Sequence, residues 1–154
     1  MEDSKLSLHF SLYEFCRTTH AEFWESNYLL AMDNTGKLVL LANDLEYIRR
    51  QFGKPIIITS GARCPELNKK IGSTATSQHT RAEAVDFLMH GVKLWDVFEW
   101  IVRYSGLKYG QVIHEGSGRN IWIHYSLGEP YRCPWRSCQA LVYKEGVYER
   151  YSAI

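Results

Sequence analysis

The chain is organised around residues 77–87, which read SQHTRAEAVDF. This segment begins polar and continues into the apolar run Ala84–Met89, which is typical of a buried strand. A carboxylate inside such a strand costs free energy unless it is paired or bound to a metal ion. Asp86 is that carboxylate, and His79 lies a short distance upstream. The two residues therefore indicate a metal site that needs a third ligand from elsewhere in the chain.

A third ligand is available in the strand-like run Ile121–Ser126, where His124 is the only strong metal ligand. Two imidazoles and one carboxylate leave one position for water, which is the arrangement of an open catalytic zinc site. Taken singly, each residue also has a structural role open to it, as a core or surface histidine or as a capping carboxylate. Only the combination of His79, Asp86 and His124 predicts a metal centre.

The composition excludes several classes of partner. A formal net charge of +1 over 154 residues gives no field that attracts nucleic acid or anionic membranes. Since no apolar segment follows the acidic first residues, we expect neither a signal peptide nor a membrane span, and a product that is cytoplasmic as synthesised. We expect one domain over residues 1–154, a monomer without nucleic-acid or membrane partners, and reduced cysteines. A local bridge between Cys133 and Cys138 is the alternative.

Local patterns predict helices first and short strands later. A capping box at Ser11–Glu14 predicts a short helix to about residue 17, and apolar residues at helical spacing predict a long helix over about 38–51. Residues 6–10 look mildly strand-like, and residues 18–34 form a polar, aromatic segment with no predicted helix or strand. The β-branched run 55–60 predicts a central buried strand.

Later in the chain we expect a short helix over 65–70, the strand 84–89, and a helix over about 94–104. Two hairpins follow, one over 111–127 and one over 140–151. This order predicts an α+β fold with a central, mostly antiparallel sheet and helices packed on it.

The first hairpin supplies two candidates for a general base, His114 and Glu115. Residues directly opposite each other in an antiparallel pair share a face of the sheet. If Glu115 lies opposite Trp122, then Glu115 shares a face with His124 and His114 points away; a shift of one residue reverses this. Arg63, just past the strand 55–60, is the candidate cation for a substrate carboxylate or a developing oxyanion.

Four blocks of sequence together resemble a known family. They are Ser60–Asn68 (SGARCPELN), Ser77–Asp86 (S-x-H-x(6)-D), Gln111–Glu115 (QVIHE) and Trp122–Ser126 (WIHYS). In this order they resemble the zinc D-alanyl-D-alanine metallopeptidases. These are related to the D,D-dipeptidase of vancomycin resistance and to phage L-alanyl-D-glutamate endolysins, and more distantly to the fold of the hedgehog signalling domain. The resemblance covers about residues 8–127 and leaves 128–154 as a C-terminal extension.

The resemblance implies one zinc ion with the ligands His79, Asp86 and His124. It also implies that Glu115 is the general base, which later passes its proton to the leaving amine, and that Arg63 binds the substrate and polarises its carbonyl. Ser77 would orient the ligand loop or touch the peptide. The implied substrate is a peptidoglycan stem peptide with a D-residue at the scissile bond, and the implied activity is that of a D-Ala-D-Ala carboxypeptidase.

Ala82 departs from the family pattern, which usually has glycine at this position. Alanine is the smallest replacement, so we expect it to be tolerated unless the backbone there needs a positive φ.

Two alternatives remain at this stage. The first is an L-alanyl-D-glutamate endopeptidase, an endolysin of a phage or prophage that reaches the cell wall after release from the cytoplasm. The second belongs to another class, a non-catalytic binding module that zinc stabilises. Glu115 and Arg63 discriminate a hydrolase of either specificity from the binding module, because binding alone requires neither residue.

Overall fold

A six-stranded sheet forms the centre of the computed structural model, which describes residues 2–128 and 138–152. Within these residues the strand order is β1-β2-β4-β3-β5-β6. The strands are β1 (Ile56–Ser60), β2 (Ala84–Met89), β3 (Tyr109–Ser117), β4 (Asn120–Leu127), β5 (Gln139–Lys144) and β6 (Val147–Arg150). Neighbours are antiparallel except β3 and β5, which are parallel. The predicted α+β class with a mostly antiparallel sheet is confirmed, and the likeness to the hedgehog fold stays a prediction.

The described residues also form five α-helices, and the third and the fifth of them pack against one face of the sheet. They are α1 (Leu12–Phe15), α2 (Trp24–Asp33), α3 (Thr35–Phe52), α4 (Pro65–Lys70) and α5 (Leu94–Arg103), with 3₁₀ turns at Ala21–Phe23 and Gln78–Arg81. The predicted long helix is confirmed in α3, whose apolar stripe is fully buried. It ends at Gly53, which has a φ of 62° and donates its N–H to the Arg49 carbonyl.

Alternation along the strands gives the sheet two chemically different faces. On β2, Val85 and Phe87 are buried in the core, whereas Asp86 between them points to the opposite face. On β4, Tyr125 is likewise buried, and its hydroxyl donates to Asp44 of α3 at 2.8 Å. The helix-covered face therefore carries the core, and the opposite face is available for a site.

Two local predictions are wrong. The strand predicted as central, β1, lies at the edge of the sheet, although Ile56 and Ile58 are buried. Its apolar run reflects contact with the core and with α1 rather than a central position. Residues 6–10, predicted as strand-like, form bends with only an isolated bridge between Lys5 and Ser11. The Ser7 hydroxyl and the His9 backbone N–H both donate to Glu46 instead.

Helix α2 was not predicted, because residues 18–34 are polar and aromatic and show no clear helical pattern. It lacks a side-chain hydrogen bond at its N-cap, and its apolar residues do not fall on one face, since Leu29 and Met32 are exposed while Tyr28 and Ala31 are buried. Neither the start signal nor the periodicity of a surface helix is therefore present.

Both predicted hairpins are confirmed, in β3–β4 and in β5–β6. The parallel pairing of β5 with β3 was not predicted, since it depends on the path of the intervening chain. Cys133 lies outside the described residues, and with it the predicted alternative of a bridge to Cys138. In the described parts of the chain, every helix is too short or too polar to span a bilayer.

Ala82 adopts a left-handed conformation, with φ 52° and ψ 37°, and closes the turn Gln78–Arg81 just before β2. The condition under which alanine was expected to cause strain is therefore met. A left-handed L-residue costs about 1–2 kcal/mol. The methyl group is nonetheless fully buried in the core, which offsets part of that cost.

We expect Ala82→Gly to change the free energy of unfolding by less than about 1 kcal/mol, because relief of strain and loss of a buried methyl oppose each other. Ala82→Val should lower it by about 2 kcal/mol or more, since a β-branched side chain is disfavoured at positive φ. Urea denaturation of the two variants measures both values. A valine variant as stable as the wild type would contradict the left-handed backbone.

Candidate metal centre and cleft

Three elements, the turn Gln78–Arg81 and the strands β2 and β4, bring the three predicted ligands together. Asp86 and His124 are direct cross-strand neighbours in the β2–β4 pair. His79 comes from the turn Gln78–Arg81, which immediately precedes β2. Asp86 Oδ1 lies 2.9 Å from His124 Nδ1 and 3.3 Å from His79 Nε2. One donor atom from each residue lies within 4.8 Å of the others, which is close enough to hold a metal ion.

In each imidazole, the ring nitrogen that faces away from Asp86 makes a hydrogen bond that orients the ring. His79 donates from Nδ1 to the Gly61 carbonyl at 2.8 Å, which leaves Nε2 as the free donor atom. His124 Nε2 is 2.9 Å from Gln78 Oε1, which leaves Nδ1. Such outer contacts fix the tautomer and the orientation of metal-binding histidines. Both free nitrogens face the same oxygen, that of Asp86.

Close packing explains why position 61, in the block Ser60–Asn68, is a glycine. A side chain there would collide with the Phe15 backbone carbonyl, which is occupied by the Ala62 N–H at 2.7 Å. Only glycine lets α1 pack this closely against the end of β1 while its carbonyl accepts from His79.

The donor set fits a divalent cation. Two imidazole lone pairs and a carboxylate converge within a site where the side chains of His79 and Asp86 are only 4% and 13% exposed. Two lone pairs and a carboxylate held this close together in a buried site cost free energy unless a positive charge lies among them. Burial would raise the pKa of the Asp86 carboxyl, but the charges and hydrogen bonds of His79 and His124 hold the pKa well below its usual range. The carboxylate is therefore ionised and suited to bind an ion.

Gln78 is part of this arrangement, although its position in the sequence did not single it out. Its Oε1 accepts from His124, while its Nε2 donates to Ser126 Oγ at 2.8 Å. Ser126 Oγ also accepts the backbone N–H of Gln111 at 2.8 Å, which fixes its position on the sheet. Nothing in the local sequence distinguishes this glutamine from a surface residue next to His79.

We expect Gln78→Leu to weaken zinc affinity by about 10–100-fold, because the orienting partner of the His124 ring is lost. Competition with a chromophoric chelator measures the affinity. Gln111→Leu is the matched control, since its side chain contacts Gln139 at 3.1 Å rather than an imidazole, and its affinity should equal that of the wild type. Equal affinities for both variants and the wild type would contradict the orienting role.

The register of the β3–β4 hairpin places the two candidate bases on opposite faces of the sheet. Glu115 pairs with Trp122, so Glu115 lies on the face of His124 and lines the same cleft. His114 points to the helical side, where its ring packs against Trp95 at 5.4 Å and Phe98 at 6.1 Å. Burial lowers the pKa of the His114 imidazole. Of the two residues, only Glu115 is placed to act on a molecule in the cleft.

Arg63 lies beside Asp86 and lines the same cleft as Glu115. Its guanidinium is 3.6 Å from Asp86 Oδ2, and it donates to Ser60 Oγ at 2.9 Å. Burial lowers the pKa of the guanidinium, whereas Asp86 and Glu115 act to raise it. Arginine remains a cation at neutral pH despite such shifts. A fixed, partly buried cation next to the candidate metal cluster can bind an anionic group.

Ser77 lies at the start of the turn that carries His79 and lines the cleft. Its carbonyl accepts from the Thr80 hydroxyl at 2.7 Å and from the Thr80 N–H at 3.2 Å, so its backbone helps to shape the turn that carries His79. The cleft has a volume of about 1040 Å³ and also contains Gln111, Trp122 and Leu141. It opens on the face of the sheet opposite the core.

These observations define a class of protein: an α+β domain in which three clustered side chains could hold a divalent cation, beside a carboxylate and an arginine in one open cleft. The family described as Peptidase M15 matches residues 9–126, which is most of the chain. The chain belongs to this family of zinc D-alanyl-D-alanine metallopeptidases, as the sequence blocks predicted. Neither curated proteins nor solved structures give a significant match to the chain.

Proposed function

We propose that this protein is a zinc peptidase that hydrolyses peptidoglycan stem peptides, with a D-Ala-D-Ala carboxypeptidase as the first candidate. Membership of the M15 family supports a metallopeptidase that acts on peptidoglycan-type peptides. The observation that carries the proposal is that the cluster of His79, Asp86 and His124 shares one cleft with Glu115 and Arg63. A site for binding alone would require neither of the last two residues.

The roles follow from the chemistry of each group. A zinc ion held by the three ligands would polarise the scissile carbonyl and acidify a water molecule. Glu115 takes the proton of the attacking water and later delivers it to the nitrogen of the leaving amine. Arg63 binds the substrate carboxylate and stabilises negative charge on the carbonyl oxygen. Ser77 contacts the peptide or orients the turn that carries His79.

The size of the cleft favours a second candidate, an L-alanyl-D-glutamate endopeptidase of the endolysin type. A volume of about 1040 Å³ is at the upper end of ordinary ligand sites, which span about 300–1,000 Å³. Such a cleft has room for residues on both sides of the scissile bond. In this case the protein would be a phage or prophage product that acts on the cell wall after release.

Digestion of purified peptidoglycan tests the proposal. The zinc-loaded protein should release D-alanine if it is a carboxypeptidase, or expose new L-alanine carboxyl and D-glutamate amino termini if it is an endopeptidase. A chelator should stop the reaction, and added zinc should restore it. Zinc-loaded protein that binds stem peptides without cleaving them would refute hydrolysis and support the binding module.

A further inference from the structure

The C-terminal hairpin forms one wall of the cleft, although it lies beyond residues 9–126, which carry the family match. Strand β5 joins the sheet by parallel pairing with β3, so that Ile113 lies beside Leu141. Leu141 and Tyr148, the latter on β6, both line the cleft that contains Glu115. The hairpin therefore brings side chains of its own to the site.

Of these side chains, Tyr148 contacts Glu115 directly. Its hydroxyl donates a hydrogen bond to Glu115 Oε1, and its ring packs against the cross-strand neighbour Tyr143 with 5.0 Å between centroids. The residue is still 49% exposed, so it lies at the rim of the cleft. Burial and the Glu115 carboxylate raise the pKa of the Tyr148 phenol, which keeps it protonated and able to donate at neutral pH.

We propose that Tyr148 is a positioning residue for the general base of this peptidase. This inference rests on the proposed function, in which Glu115 is that base. A phenol that occupies Oε1 fixes the plane of the carboxylate and leaves Oε2 as the oxygen that accepts the proton of water. The proton then passes from Oε2 to the amine nitrogen, and Tyr148 keeps its own proton throughout. An ionised carboxylate accepts stronger hydrogen bonds than a neutral group, so the contact restricts its rotation.

Steady-state kinetics of Tyr148→Phe test the role. We expect kcat to fall by about 10-fold or more, because a hydrogen bond to a charged group is lost. KM, zinc content and melting temperature should stay at wild-type values, since the phenyl ring preserves the packing of the hairpin. Tyr143→Phe is the matched control, with a hydroxyl removed from the paired residue of the same hairpin, and it should retain the wild-type kcat. A fall in melting temperature or zinc content that accounts for the lost activity would refute positioning.

Carbon-13 NMR of ring-labelled tyrosine provides a readout that needs no turnover. The Tyr148 signal is assigned by its loss in Tyr148→Phe, and its titration is followed in the wild type and in Glu115→Gln. The phenol should ionise at lower pH in Glu115→Gln, because the neighbouring negative charge is gone. An unchanged titration would show that the contact is absent and would refute the inference alone. Wild-type protein that cleaves no stem peptide would refute the proposed function, and the positioning role with it, even if the titration shifts.

Discussion

Glu115→Gln should lower the turnover of peptidoglycan stem peptides by about 1000-fold while zinc content stays near normal. The amide preserves the shape of the side chain and its place opposite Trp122, but it cannot accept the proton of the attacking water. Because Glu115 is outside the cluster of His79, Asp86 and His124, its replacement leaves the three proposed ligands intact. Single-turnover assays with a defined stem peptide, together with metal analysis of the same samples, measure both quantities. Glu115→Ala should behave similarly.

His114→Gln is the control for this prediction, since His114 was the other candidate base and is adjacent in sequence. Its ring packs against Trp95 and Phe98 on the helical side, so the variant should lose some stability and keep turnover within a few-fold of the wild type. Turnover that survives in Glu115→Gln but is lost in His114→Gln would reverse the assignment.

Asp86→Asn should weaken zinc affinity by more than about 100-fold, because the loss of an outer-shell partner alone costs 10–100-fold. Asp86 is the carboxylate that both imidazoles face, and it also lies 3.6 Å from Arg63. Asparagine fills the same volume but removes the negative charge at the centre of the cluster. Zinc titration against a competing chelator measures the loss, and circular dichroism establishes that the variant is folded.

A second carboxylate outside the cleft provides the matched control. Asp44 accepts the Tyr125 hydroxyl at 2.8 Å between α3 and β4, and burial raises the pKa of its carboxyl. Asp44→Asn should alter the stability of the protein and leave zinc affinity unchanged. If Asp86→Asn bound zinc as tightly as Asp44→Asn does, Asp86 would not be a ligand.

Much of the fold could be predicted from the sequence wherever the pattern has a local physical cause. The stripe of α3, the turn signals of the two hairpins and the apolar run Ala84–Met89 all specify their own elements. The edge position of β1 could not be predicted, because burial by α1 and the core produces the same apolar run as a central position. Helix α2 was missed because tertiary contacts, rather than periodicity or capping, stabilise it.

Some residues of the proposed site could likewise be predicted from the sequence, and others could not. His79, Asp86 and His124 could be proposed from their residue types, because a carboxylate inside a buried strand is costly unless a cation or a metal ion compensates its charge. The choice of Glu115 over His114 required the register of the hairpin, which a shift of one residue would have reversed. Gln78 and Tyr148 act through contacts between residues that are distant in sequence, 46 and 33 positions apart from their partners. No local pattern encodes such contacts.

The parallel pairing of β5 with β3 also bears on solubility. A chain shortened to Gly128 would keep all three proposed ligands and everything that the family shares. It would, however, uncover the outer edge of β3 from Gln111 to His114, where β5 is paired in the intact protein. Unsatisfied main-chain groups along such an edge recruit strands from other molecules and promote aggregation. The C-terminal hairpin therefore protects the sheet from self-association as well as completing the cleft.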